Sequence, residues 1–329
     1  MTDVLSSVLS LIRASSSVSG QLRAGGDWAL RFPAPENPKF NAVVNGGCWL
    51  SATALEEPVR LAEGDSVLLV AGGPYVLSSA IGVAPQDAGP FFAEAVDGVA
   101  TVGTGDGAFL IGGQIQIDAL AAPLLLDQLP PVLVVRSDAQ NSSDLQWALS
   151  TLVRELGSER PGRSLLSEHL AQMIMILIIR AHYASGGAHL AGWLRGLADP
   201  RIARAIQAVH RDPAREWTVR TLAGEAVMSR SGFAELFVRL VDRTPIGYVS
   251  DWRLQLAASR LRNEPTPIGK IASDSGYGSE SALGAAFRRR FGTSPARYRR
   301  NGRIWPPADT LSGDPGASLA RGPDATSKA

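Results

Sequence analysis

The apolar residues of the chain change period as it proceeds, and each change marks a different kind of element. From Asp3 to Arg13, Val4, Leu5, Val8, Leu9 and Ile12 fall on one stripe, the pattern of a short amphipathic helix. From Ser17 to Asp118 short runs rich in Val, Leu, Ile and aromatics take over: Gln21–Leu22, Trp28–Phe32, Phe40–Val44, Cys48–Ser51, Val59–Leu61, Ser66–Val70, Tyr75–Ser78 and Ala108–Ile117. Gly, Pro and Asp interrupt them roughly every ten residues, a spacing that predicts an all-β barrel or sandwich. Pro85–Thr104, weakly patterned and rich in Gly and Ala, reads largely as a loop.

From Asp144 the period is helical again. Leu145, Leu149, Leu152, Val153 and Leu156 share a face that Gly157 stops, and a second helix runs from Leu165 to Tyr183 before Gly186-Gly187. Its apolar face is broad enough to be covered by the barrel on one side and by a second subunit on the other. Complete burial within one chain fits the pattern equally well. Met173–Ile179 is the most apolar run, far short of the roughly 20 residues of a membrane span and flanked by Gln172 and Arg180, so a buried helix explains it.

Asp199 is placed to cap a helix that starts at Pro200, with Ile202, Ala205, Ile206 and Val209 as its stripe and its end near His210. Beyond it one pattern is written twice. The first copy is Thr221-Leu222-Ala223, Met228-Ser229-Arg230-Ser231, Phe233, Phe237, Pro245 and Tyr248. The second is Lys270-Ile271-Ala272, Tyr277, Ser279-Glu280-Ser281, Leu283, Phe287, Pro295 and Tyr298. The offset is 49 residues up to the turn and 50 after it, so one supersecondary element is used twice with an extra residue in the second turn. Ile246 to Leu261 reads as one long helix joining the copies. Residues 304–329 have too little apolar content to pack and read as a disordered tail.

Composition alone is that of an ordinary soluble globular protein, but the distribution of charge changes the picture. Residues 1–200 carry 11 Lys and Arg against 19 Asp and Glu, whereas residues 201–303 carry 19 against 9. The basic segment is the one that holds the repeat, which is the electrostatic footprint of a polyanion binder. The N-terminus shows no basic region, apolar core and small-residue cleavage site of a signal peptide. The lone Cys48 can form no intramolecular disulfide, and the expected setting is the reducing cytoplasm.

Each copy pairs a short helix bearing a small residue, Ala223 or Ala272, with a second helix capped by Ser229 or Ser279. In the first, Phe233, Leu236, Phe237 and Leu240 recur at helical spacing and face the core. Arg230, Ser231, Ala234, Glu235 and Val238 then point outward, with Arg239 at the edge. In the second, Leu283, Phe287 and Phe291 face inward and leave Glu280, Ser281, Gly284, Ala285 and Arg288 outward. A helix face of this size fits the major groove of DNA, where the base edges are distinguishable. Arg243, Arg253, Lys270, Arg288, Arg289, Arg290, Arg297, Arg299 and Arg300 are available to neutralise phosphates. Solvated charge on a helical bundle would explain one such copy, but two matched copies inside a basic segment favour DNA. Glu235 fits equally a contact to cytosine N4 and a surface ion pair with Arg239.

These residues carry a resemblance. Trp217-Thr218-Val219, Leu222-Ala223, Met228-Ser229-Arg230-Ser231, Phe237, Pro245, Tyr248, Ile271-Ala272, Gly276-Tyr277, Ser279, Phe287, Phe291-Gly292-Thr293-Ser294-Pro295 and Tyr298-Arg299 resemble the C-terminal domain of AraC/XylS-type transcription regulators. The resemblance implies two recognition helices in successive major-groove segments on one face of the DNA, about one turn or 34–36 Å apart. Two departures stand out. Val227 occupies a turn position where the family often has Gly, and a β-branched residue there is strained if φ is positive. Gly284 and Ala285 stand where members often carry long polar side chains, which suggests one reading head and one mainly anchoring head.

Residues 1–200 resemble the cupin-type sensor domain of one branch of these regulators, on the strength of Trp28–Pro35, Gly46–Leu50, Pro58–Leu61, Gly64–Leu69 and Leu129–Leu133. Metal-dependent cupins hold their ion with His and a carboxylate. Residues 1–168 contain no His, and Asn41 and Tyr75 stand where related domains often place one, so no metal and no cofactor are expected. A metal-dependent cupin enzyme with an accessory basic domain is the disfavoured alternative. Gly103–Gly107 lacks the ending of a phosphate loop and reads as a turn, and Ser164 and His169 form no catalytic arrangement. The resemblance implies a small-molecule effector, with Trp28, Arg31, Asn41, Trp49 and Tyr75 as candidate contacts. A barrel packed solid by the same side chains is the alternative.

The expected fold is α+β and multi-domain. It comprises a cupin-like effector-sensing barrel (1–138), a helical linker and dimerisation segment (139–200), an all-α double helix-turn-helix domain (201–303) and the tail. The expected partners are a double-stranded DNA operator, a second copy of the chain and an effector, with RNA polymerase compatible as a further contact and no membrane. Activation or repression depends on where the operator lies relative to the promoter.

Overall fold

The computed structural model describes residues 3–12, 14–71, 73–118, 121–139, 142–185 and 190–301; the expected tail and His189 lie outside them. The chain begins with helix α1 (Val4–Ile12) and strands β1 (Ser15–Gly25), β2 (Ala29–Phe32), β3 (Lys39–Ala52), β4 (Val59–Ala62), β5 (Ser66–Leu69), β6 (Tyr75–Ser78) and β7 (Gln86–Asp87). Helix α2 (Ala88–Ala93), β8 (Val99–Gly103), β9 (Ala108–Gln116), α3 (Pro123–Leu126) and β10 (Val132–Val135) complete the first part. The ten strands form one curled sheet of cupin type, in the order β7-β2-β6-β3-β9-β1-β8, with β4 and β5 added on β3 and β10 on β5.

Strand β3 organises the sheet. Its first half pairs with β9 and β5 and its second half with β4 and β6. The runs Phe40–Val44 and Cys48–Ser51, expected as two strands, are thus one. The bend between them follows a register shift between Val43 and Asn45. Gly46 sits there at φ +73°, and a Cβ on it would stand 2.0 Å from the Gly107 carbonyl oxygen, so only Gly fits. Pro85–Thr104 is less of a loop than its composition suggests: it holds β7, α2 and β8, and β8 pairs in parallel with β1.

Alternation along β3 separates two cores. Phe40 and Ala42 join Leu68, Ile111 and Ile115 in a core covered by helices. Val43, Cys48 and Leu50 join Trp28, Leu30, Phe32, Tyr75, Leu77 and Leu110 in the interior of the curled sheet. A sheet buried on both faces reads as continuous apolar runs, as in Ser66–Val70.

The covering helices are α4 (Ser142–Leu156) and α5 (Arg163–Ala184). Helix α5, at 22 residues, has the length and apolar content to cross a membrane. It is instead a core helix, burying Leu170, Ala171, Ile174, Met175, Ile178 and Ile179 beside α4 and β1. A short helix without a sequence signature, α6 (Gly192–Ala198), follows. Then come α7 (Pro200–Arg211), α8 (Val219–Ala226), α9 (Arg230–Val241), α10 (Pro245–Asn263), α11 (Ile268–Asp274), α12 (Glu280–Phe291) and α13 (Pro295–Asn301). The cap at Asp199 is formed: its carboxylate accepts from the Arg201 and Ile202 amides, and a side-chain bond from Arg201 holds its pKa down at about 2.

Packing divides the chain into two compact units, Met1–Leu256 and Ala257–Ala329. In the first, the helix-covered core runs without a break from Val4 through α5, α6 and α7 to Phe233, Phe237 and Trp252. His210 lies inside it, its Nε2 2.7 Å from the Tyr248 hydroxyl oxygen and its ring stacked 3.8 Å from that of Trp252. Burial lowers its pKa from 6.5 to about 3. The folded state therefore keeps His210 neutral where the unfolded chain protonates it, so this contribution to stability is complete above pH 6.5 and lost as the pH falls toward about 3. Urea midpoints should fall across that window, and His210→Gln should flatten the decline. Equal slopes for both proteins would refute the assignment.

Candidate nucleic-acid interface

The two copies of the motif build the same turn. After α8 the Val227 amide donates to the Gly224 carbonyl oxygen and the Met228 amide to that of Ala223. After α11 the Gly276 amide donates to Ser273 and the Tyr277 amide to Ala272. This pair of bonds is the Schellman ending of a helix, and it requires a left-handed residue. The second turn uses Gly276 at φ +78°, the first Val227 at φ +56°. Gly278 is the extra residue of the second turn. Each recognition helix then starts on its serine: Ser229 Oγ accepts from the Gly232 amide and Ser279 Oγ from the Ala282 amide. The inward faces match as well, since Phe237 meets Tyr248 edge-on at 5.8 Å and Phe287 meets Tyr298 edge-on at 5.0 Å.

The outward faces differ. On α9, Arg230, Ser231, Glu235, Val238 and Arg239 are exposed and Ala234 is half-buried. Among the described residues no ion pair joins Glu235 to Arg239, and both side chains are exposed. On α12, Glu280, Ser281, Ala285, Arg288 and Arg289 are exposed, and Gly284 is open enough that a Cβ on it would meet no atom within 4 Å. Arg297, on α13, is exposed too.

Several cations expected to face phosphates are held by the protein. Arg299 donates to the Thr266 carbonyl oxygen and is half-buried, which makes it a strut of the second unit. Arg253 donates to the carbonyl oxygens of Pro213 and Arg215. Arg243 is paired with Asp251, and Lys270 with Asp274 at 2.7 Å. Arg230, Arg239, Arg288, Arg289, Arg297 and Arg300 are the expected contacts that remain exposed with no ion pair among the described residues.

In the curled sheet the five candidate effector contacts separate. Arg31 lies between buried Leu30 and Phe32, and Trp49 between buried Cys48 and Leu50, so alternation turns both to the outer face. There Arg31 is 3.9 Å from Asp87, and the Arg60 guanidinium lies 6.0 Å over the Trp49 ring. Trp28 is packed into the interior. Asn41 and Tyr75 are buried side by side, yet neither Asn41 Nδ2 nor the Tyr75 hydroxyl has a partner at hydrogen-bonding geometry. Burial pushes the Tyr75 phenol up, and the neighbouring Asn41 amide offsets only part of this. Lys39, not picked out from the sequence, lines with Asn41 a cavity of about 20 Å³, and burial lowers its pKa. Its ammonium lies 5.1 Å over the Phe32 ring. The signal was its place two residues before Asn41, on the same face of β3.

A cupin family model matches residues 3–184 and a helix-turn-helix domain model matches residues 222–301. A putative AraC-like transcription regulator of Streptomyces lividans is 44% identical over 299 residues, covering 91% of this chain and 98% of the relative. Another, of Streptomyces antibioticus, is 44% identical over 299 residues, covering 91% of this chain and 99% of the relative. The chain belongs to the AraC-like transcription regulators. Among solved structures, the DNA-binding domain of AdpA in complex with a target DNA is similar to it, 30% identical over 35% of this chain and 99% of that one, with a TM-score of 0.31.

An AraC-like regulator is a DNA-binding protein and not an enzyme, and the metal-dependent cupin enzyme is set aside on that ground. Among the described residues of this regulator no group of three His, Cys, Asp or Glu is arranged to hold a metal. Its departure at Val227 carries a measurable strain. The residue is β-branched, left-handed and 80% exposed, so its side chain returns no burial for the conformation. Val227→Gly should raise the regulator's stability by about 1 kcal/mol, read as a higher thermal midpoint, with DNA affinity unchanged. A lower midpoint would show that the strain at Val227 is smaller than the entropy that Gly adds to the unfolded chain.

Proposed function

We propose that this regulator is a cytoplasmic dimer that binds an operator through α9 and α12 and responds to a small molecule held in its curled sheet. Residues 1–138 form the sensor, 139–200 the linker and dimerisation segment, and 201–303 the DNA-binding domain. The observation that carries the reading is the pair of matched turns, each presenting an exposed helix face. Arg230, Ser231, Ala234 and Glu235 on α9 supply donors, an acceptor and a methyl group for base edges. On α12, Glu280, Ser281, Gly284 and Ala285 offer less reach, while Arg288, Arg289 and Arg297 supply charge. Charge is distributed accordingly: residues 257–301 carry nine Lys and Arg against three Asp and Glu, residues 201–256 nine against six. Arg239 flanks the reading face. Arg243, Lys270 and Arg299 support it through the protein contacts described above.

The effector reading rests on Asn41 and Tyr75, which leave a side-chain amide and a hydroxyl unpaired in an apolar interior, with Lys39 lining the same small cavity as Asn41, an arrangement that favours a ligand with both characters. The dimer reading rests on the α4–α5 pair, where Trp147, Leu165 and Leu166 are exposed and Met173, Ile176 and Leu177 only partly covered. Sedimentation of the purified chain tests it, and a monomer at all concentrations would remove it. RNA polymerase is proposed as a contact once the operator is occupied.

Selection of bound duplexes from random DNA tests the central claim, and absence of any enriched sequence would overturn it. On the recovered operator, Arg288→Ala should weaken binding to all sequences alike and reduce the slope of log K against log salt by about 0.9. Arg230→Ala should instead alter the preferred bases. Identical behaviour of the two variants would reject the division into a reading and an anchoring helix.

A further inference from the structure

Helix α6 has seven residues and lies between the sensor and the first recognition helix, in contact with both. On the sensor side, the Trp193 indole Nε1 donates to the Leu124 carbonyl oxygen of α3 at 2.7 Å, with Trp193 and Leu194 buried. Gly192, at φ +48°, lies so close to Gln128 that a Cβ would stand 1.7 Å from its Oε1. On the other side, Arg195 reaches the C-terminus of α9. Its Nε donates to the Leu240 carbonyl oxygen at 2.7 Å, and its Nη2 to that of Arg239 at 3.2 Å and to Asp242 Oδ2 at 2.6 Å.

The last carbonyls of a helix have no partner within it and carry the negative end of its dipole, so a guanidinium there fixes the helix end in place. Asp242, the left-handed cap of α9, is held by the same group. Beneath it Gly196 packs directly on the last turn: a Cβ would stand 2.9 Å from Val241 Cγ2. The matching end of α12 stops on Gly292.

We propose that α6 is a tie-bar through which the sensor sets the pose of α9, with Trp193 fixing one end to α3 and Arg195 the other to the helix that reads DNA. Arg195 is then a positioning residue for base recognition. The proposal rests on α9 being a reading helix. Its consequence is that a displacement at α3 reaches α9 through packed atoms, and helix shifts of about 1–2 Å are enough to move a packed element between arrangements.

Hydrogen exchange of the full chain, read on peptides covering 236–243, tests the coupling. Arg195→Ala should speed exchange there. Trp193→Phe, which keeps an aromatic ring, removes the donor and does not alter Arg195, should do so as well, with peptides covering 286–292 unchanged. On the selected operator, Arg195→Ala should reduce discrimination at the base pairs read by α9 about fivefold or more and leave that at the α12 positions intact. Arg195→Lys, which retains a cation and donors, should recover part of both. Simple destabilisation would lower the active fraction without changing relative preference. An effect of Trp193→Phe confined to 121–128 and 190–196 would overturn the tie-bar. If the wild-type chain shows no preference at the α9 positions, the reading role of α9 fails, while the exchange arm still decides the coupling.

Discussion

Burial of the helix-facing side of the curled sheet is the constraint on which this molecule depends. Phe40, Ala42, Leu68, Ile111 and Ile115 project from the strands toward the side opposite the interior and need an apolar cover. Helices α1, α4 and α5 supply it, and their own remaining apolar residues pass the same requirement on to α6 and α7. The first helix-turn-helix unit completes this core. Sensor and first recognition helix therefore belong to one packed body, and the compact division of the chain falls after Leu256, inside α10.

Much of this was legible beforehand. The double motif could be read because helix caps, small crossing residues and aromatic spacing all agree at each step, and consistency across levels is what specifies a structure. The strands that alternate or run apolar could be read too. What escaped were short elements: β8, five residues inside a Gly- and Ala-rich stretch, α2, six residues that include Gly89 and Pro90, and α6, whose two glycines speak against a helix by propensity but are needed for close approach to Gln128 and Val241. Strand β3 hid its continuity behind Gly46, where the residue that usually ends a strand instead bends it.

The functional residues were legible as a set and less so one by one. Charge counts identify a basic segment but do not tell a free guanidinium from one engaged by carbonyl oxygens, as Arg253 and Arg299 are. That distinction depends on contacts 33 to 40 residues apart in sequence, which no local pattern encodes. Arg31 and Trp49 are a different case. Their buried neighbours on both sides already assigned them to the outer face, and strand alternation would have excluded them from the interior.

Gly284 shows how such a scaffold can change its target. The position lies on the outward side of a recognition helix whose opposite face is already packed by Leu283, Ala286 and Phe287, and no atom stands near where a side chain would begin. A new side chain there would require no repacking, and almost any residue would also favour the helix more than glycine does. Selection for a new operator could therefore act on this codon without first repairing the fold. On the outward face of α12, Gly284 leaves room for a new side chain.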